Sequence, residues 1–162
     1  MKTFKQFIHE SSLSRVVSKS KKGGTAILSG SRADKSPKEN KARAKQLDKD
    51  IRGKGLGGAT KATGRYTEKD DKTGKETKVK ERSHIVSSGK HGKRAFKKKV
   101  KALGKKYGQD SVLVQNKKGS ATLHATRKGG LGKDKSANIG KMRPGRSGEN
   151  DTTVKKKPFT YG

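Results

Sequence analysis

Lysine and arginine number 44 in this chain against 14 aspartates and glutamates, a formal net charge of +30. Self-repulsion of that size opposes any compact state. The force that must overcome it is limited, because only 25% of the 162 residues are hydrophobic, well under the usual share. Any core is therefore small and confined to part of the chain, and the length suits one domain with tails rather than two. A polyanion relieves the repulsion by releasing condensed counterions, which makes nucleic acid the first partner to consider. Lysine outnumbers arginine and aromatic residues are 4%. Lysine suits phosphate as a point charge, whereas base reading leans on arginine forks and stacking, so the expected binding has little sequence preference. Cysteine is absent, which excludes disulfides, thiolate metal sites and a thiol nucleophile. No apolar run reaches membrane-spanning length and the amino terminus lacks a secretory signal pattern, so a soluble chain with no membrane partner is expected.

Phe4, Phe7 and Ile8 in MKTFKQFIHE fall on one face of a short helix. Residues 11–23 read as a linker, although Leu13, Val16 and Val17 could extend an amphipathic helix. TAILSG (25–30) reads as a strand. Ser36, Pro37 and Glu39 supply an N-cap, a first-turn proline and a capping-box partner for a helix through KENKARAKQLDKDIR, with Ala44, Leu47 and Ile51 on one stripe and Gly53 as the stop. ATKATGRYT (59–67) and ETKVKERSHIVS (76–87) read as a hairpin in which Val79, Glu81, Ser83 and Ile85 share a face. A second helix is expected at about 91–106 on a Phe96, Val100 and Leu103 stripe, followed by a hairpin of QDSVLVQ and SATLHAT around NKKG. From Arg127 onward the chain reads as an extended basic tail, with VKKKPFTY as a late edge strand. The expected fold is α+β: a small antiparallel sheet with two helices on one face, in the ferredoxin-like split-βαβ order plus one strand, with flexible basic tails. The corresponding division is 1–10, a linker 11–23, a domain 24–126 and a tail 127–162.

GKGLGG at 53–58 has the letters of a dinucleotide loop but follows a helix and precedes a strand, the reverse of what pyrophosphate binding needs. GKMRPGRS at 140–147 has Arg146 where a phosphate loop has lysine, and Pro144 interrupts it. His9, His84, His91 and His124 meet no metal-ligand spacing. No cofactor or metal is expected. For catalysis the candidates are Glu81, Ser83 and His84 on one strand, or Asp110 and Ser111. Ser83 and His84 point to opposite faces and a Glu–Ser pair lacks the usual base, so an enzymatic role is not expected.

The lysine runs carry the strongest signal. Phosphate contacts are expected from Lys93, Arg94, Lys97, Lys98, Lys99, Lys101, Lys105 and Lys106 on the second helix, and from Lys117 and Lys118 in the hairpin turn. Arg127, Lys128, Arg143, Arg146, Lys155, Lys156 and Lys157 would add to them from the tail. The strands KERSHIVS and SVLVQ carry no aromatic residue, which argues against single-strand stacking.

The opening MKTFKQFIHE resembles the capsid-targeting peptides of internal head proteins in T-even-like tailed phages. That resemblance implies cleavage after a Leu/Ile-x-Glu site: Ile8, His9 and Glu10 fit, placing the cut between Glu10 and Ser11. The glutamates at 39, 68, 76, 81 and 149 have Pro37, Tyr66, Gly74, Val79 and Ser147 two places before them and do not fit. Residues 25–126 also look like a domain of unknown function shared by phages and bacteria, with Gln109 and Asp110 as pattern residues. Together these imply a basic virion protein packaged in the head, contacting capsid or scaffold proteins through residues 1–10 and binding double-stranded DNA through phosphates. The protein would lie inside the virion head, and in the host cytoplasm before assembly; the alternatives are a phage effector that inhibits a host protein and a ribosome- or RNA-associated protein.

Overall fold

The computed structural model describes residues 12–70, 72–148 and 150–162. The amphipathic opening and the Ile8, Glu10 and Ser11 cleavage site lie outside the described residues. In chain order the elements are α1 (Ser12–Gly23), β1 (Thr25–Leu28), α2 (Pro37–Gly53), β2 (Gly57–Lys69), β3 (Glu76–Ser87), α3 (Lys93–Lys106), β4 (Ser111–Gln115), β5 (Ser120–Ala125), β6 (Ser136–Pro144), β7 (Asp151–Val154) and β8 (Lys157–Tyr161). All strand pairings are antiparallel, and the order β1-β3-β2-β7-β8-β6-β5-β4 closes on itself through β1 and β4. This corrects the expected small open sheet with two helices: the fold is a closed eight-stranded barrel with three described helices.

The supposed flexible tail supplies the closure. Residues after Arg127 form β6, β7 and β8, and Val154 and Phe159 are among the most buried side chains, 0% and 1% exposed. A free sheet edge presents a row of unpaired backbone groups, which closing the barrel removes.

Alternation along the strands divides the apolar residues into two layers. Ala26, Leu28, Val86 and Val112 pack outward with Leu47 and Ile51 of α2 and Phe96, Val100 and Leu103 of α3. Ile85, Ala62, Val154 and Phe159 point the other way and pack with Leu13 and Val16 of α1, flanked by Val17, Ile27, Met142 and Tyr161. The segment read as a linker is therefore a helix that covers the inner face of the barrel, on the stripe of Leu13, Val16 and Val17. Inside that face Gln115 donates to Ser20 Oγ at 2.7 Å and accepts from the Tyr161 hydroxyl at 2.9 Å, so the buried amide is paired.

α2 begins as its capping box requires: Glu39 N donates to Ser36 Oγ at 3.2 Å and Ser36 N to the Glu39 carboxylate at 2.8 Å, with Pro37 at the first turn. Its far end is tied to α3 through Asp50, which accepts from Lys106 Nζ at 2.8 Å and the Tyr107 hydroxyl at 2.7 Å. α3 comes close to the barrel at Gly104, where any side chain would overlap Val112 and Thr126.

Candidate functional site

β2 and β3 are the longest strands, and they run past the point where β7 stops pairing with β2 at Arg65. The two faces of this ribbon carry different chemistry.

On the inner face, Glu81 stands opposite Gly64, and Tyr66 is one pair further along, opposite Val79. Tyr66 and Glu81 are thus diagonal neighbours, with side chains about 7–8 Å apart at their origins. Gly64 lies on the same face, and a side chain there would make only ordinary contact, 3.5 Å from Ser83 Oγ. Glu81 and Tyr66 are half-buried and Ser83 is buried. Tyr66 and Val79 also line a cleft of about 710 Å³ with Lys78, Lys80, Ser147 and Gly148. Its wall is fixed by Arg65, whose guanidinium donates two hydrogen bonds to Asp151 at 2.7 and 2.6 Å. The Asp151 side chain is fully buried, and the Arg65 hydrogen bonds hold its carboxyl below the usual range against the opposing effect of burial.

On the outer face, α2 lies over the ribbon and leaves a cleft of about 1020 Å³. His84 lines it and is 4% exposed, with an Nδ1 that is buried and has no hydrogen-bond partner. Burial pushes the His84 pKa down; Asp48 on α2 acts against this and Lys61 on β2 with it. Asp48 itself forms an ion pair with Arg52 at 2.8 Å. The remaining charges around the cleft are cationic, and Lys155 and Lys156 reach it from the turn between β7 and β8.

Of the expected catalytic group, Ser83 and His84 do lie on opposite faces, as alternation requires, while Glu81 and Ser83 share the inner one. Asp110 and Ser111 are separated in role: Asp110 is bound to Arg127 at 2.6 Å and Ser111 opens β4. Tyr66 escaped notice in the sequence because its position relative to Glu81 depends on the strand register. Asp48 and Lys61 escaped because they meet His84 only once α2 is laid across the ribbon.

The lysines and arginines expected to contact phosphate are dispersed. Lys93, Arg94, Lys97, Lys98, Lys101 and Lys105 are exposed on α3, Lys99 is half-buried there, and Lys106 is engaged by Asp50. Lys117 and Lys118 occupy the β4–β5 turn, Arg127 is paired with Asp110, and Lys128 follows β5. Arg143 lies on β6, Arg146 beyond it, and Lys157 starts β8. Only Lys155 and Lys156 of the set line the large cleft. Among the described residues no cluster of His, Asp and Glu could hold a metal ion, and no helix is long and apolar enough to cross a membrane.

No curated protein matches the chain. The profile of the S-adenosylmethionine lyase family matches residues 26–162, from the second residue of β1 to the carboxyl end. The match corrects three expectations. The likeness to internal head proteins rested on ten residues outside the matched span, and the likeness to a domain of unknown function covered much of the span that the lyase profile matches. A DNA-binding head protein without enzymatic activity is replaced by an enzyme family, and the match favours neither the effector nor the RNA-associated alternative. A profile that extends over the whole barrel outweighs a short terminal motif: this chain belongs to the S-adenosylmethionine lyase family.

Proposed function

We propose that the chain degrades S-adenosylmethionine by breaking a carbon–sulfur bond of its sulfonium, with the inner face of β2–β3 around Tyr66 and Glu81 as the reacting site. The family match over residues 26–162 carries this reading. A lyase adds no water, so the carbon released from sulfur must either lose a neighbouring proton or be captured by a group within the substrate. The proton next to the departing Cγ is on Cβ, which no carbonyl activates, and the Glu81–Ser83 face has no histidine to serve as base. Capture by the substrate's own carboxylate needs no proton transfer. Its oxygen bonds to Cγ, the Cγ–S bond breaks, and the electron pair stays on sulfur. The products are methylthioadenosine and a five-membered lactone.

The protein's part is then positioning and exclusion of water. Folding the methionine chain so that carboxylate faces Cγ uses the proximity effect, where effective molarities reach about 10⁵ M or more. Opposite charges annihilate in this step, so a site drier than water lowers its barrier. Glu81 supplies an anion for the substrate's α-ammonium, which leaves the reacting carboxylate free, and Tyr66 supplies an aromatic face for the sulfonium region. The outer cleft is the poorer choice for a substrate of net positive charge, because eight lysine and arginine side chains surround a single carboxylate there.

Purified full-length protein incubated with S-adenosylmethionine should convert it to two fragments whose masses add up to the substrate without water. Glu81→Gln should lower kcat/KM by about 10- to 100-fold, the loss expected for one charge-assisted hydrogen bond. An unchanged rate in that variant would remove Glu81 from the site, and no loss of substrate by the wild type would overturn the function.

A further inference from the structure

We propose that the outer cleft, between α2 and β2–β3, is a second site that binds a small polyanion bearing an aromatic ring, a nucleoside polyphosphate being the class that fits both halves of it. At about 1020 Å³ the cleft falls at the upper end of small-ligand pockets. Its lining combines the small and apolar Ala44 and Ala59 and the His84 ring with a rim of Lys41, Lys45, Lys49 and Lys61.

Two features of this cleft carry a cost, and one anionic ligand would offset both. Lys41, Lys45 and Lys49 repeat at i, i+4 along α2, where like charges destabilise a helix. The two-residue turn that joins Val154 to Lys157 places both Lys155 and Lys156 at positive φ, 45° and 67°. Such turns favour Asn-Gly, and lysine at both positions is strained. The turn brings both lysines into the cleft lining along with those of α2. The His84 ring adds an aromatic surface to the lining, its Nδ1 being turned away from the cleft and without a partner. Phosphates at the rim would answer the lysines, and a base seated in the cleft would lie against the imidazole ring and the apolar Ala44 and Ala59. The same charge excludes the sulfonium substrate, so occupancy here is separate from the reaction at Tyr66 and Glu81.

The test is calorimetric titration of the full-length protein with ATP, AMP and tripolyphosphate at physiological salt, with the His84 ring nitrogens followed by NMR. ATP should bind at least about tenfold more tightly than either AMP or tripolyphosphate, since each lacks one half of the recognition. His84 nitrogens should shift with ATP and not with tripolyphosphate. In the paired variant Lys155→Asn/Lys156→Gly the turn is relaxed, so the fold should melt higher while ATP affinity falls about tenfold and S-adenosylmethionine cleavage is unchanged. Equal binding of ATP and tripolyphosphate with His84 unmoved would reduce the cleft to general surface charge. Undiminished ATP affinity in the paired variant would place the site elsewhere. Neither result bears on the lyase activity, which is read separately.

Discussion

Two side chains show how this chain manages charge one residue at a time. Asp151 is wholly buried at the β2–β7 seam and is kept ionised by the two hydrogen bonds from Arg65. Removing the guanidinium leaves a buried carboxylate unpaired, so Arg65→Leu should cost about 2–3 kcal/mol in urea unfolding, whereas Arg65→Lys should cost less by keeping the charge. An equal loss in both would mean that the forked geometry, not the charge, carries the effect. His84 behaves in the opposite sense. Desolvation lowers its folded pKa, with Asp48 opposing and Lys61 reinforcing, so the unfolded chain takes up the proton first as pH falls. Its contribution is complete above the ordinary histidine value of 6.5 and is lost as pH drops toward the depressed folded value. The melting temperature should therefore fall between about pH 7 and pH 5, and His84→Gln should flatten part of that decline. The rest belongs in part to His124, which burial, Lys97 and Lys101 shift the same way. Identical slopes in wild type and variant would show that the imidazole is not a source of it.

Elements that announce themselves locally could be read from the sequence. The Ser36–Pro37–Glu39 start of α2, the Phe96–Val100–Leu103 stripe and the β4–β5 turn each need only neighbouring residues, and each is present, whereas α2 runs through the expected Gly53 stop, is capped by Lys54 and turns on Gly55 at a φ of 69°. β6 and β7 were not legible and β8 was legible only as an edge strand within VKKKPFTY, because β7 and β8 are four and five residues long and their inward Val154 and Phe159 stand among threonine, lysine and proline. Two inward side chains cannot establish a period of two. Gly104 is a similar case: nothing in KALGKK shows that α3 must approach Val112 there. In a solvent-facing helix Gly→Ala would stabilise by about 1 kcal/mol. At Gly104 the added methyl overlaps Val112 and Thr126, so Gly104→Ala should instead destabilise by about 1–2 kcal/mol. Val112→Ala in the same chain should recover part of that loss; failure to do so would put the cause in the helix rather than in its contact.

At the scale of the molecule, the low apolar content reads as a small core confined to part of the chain, whereas the buried side chains run from Leu13 to Phe159. A closed barrel spends each strand's few apolar residues on two thin layers: the outer is covered by α2 and α3, the inner by α1. The inner layer explains why the Glu81 side of the ribbon could be assigned from alternation while its surroundings could not, since they come from β7, β8 and a helix that precedes the family-matched span. That helix contributes Leu13 and Val16, 6% and 3% exposed, against Ile85, Val154 and Phe159. With each such side chain worth about 1.5–3 kcal/mol of burial, the pair is a large share of what holds together a chain of this charge. Leu13→Asp/Val16→Asp should therefore lower stability by several kcal/mol and expose an apolar face that binds a hydrophobic dye, although both substitutions lie outside the residues that define the family. If the doubly substituted protein melts as the wild type does, α1 is an ornament on a barrel that the matched residues complete by themselves. If it unfolds, this chain has made a helix outside its family's common span part of its own core.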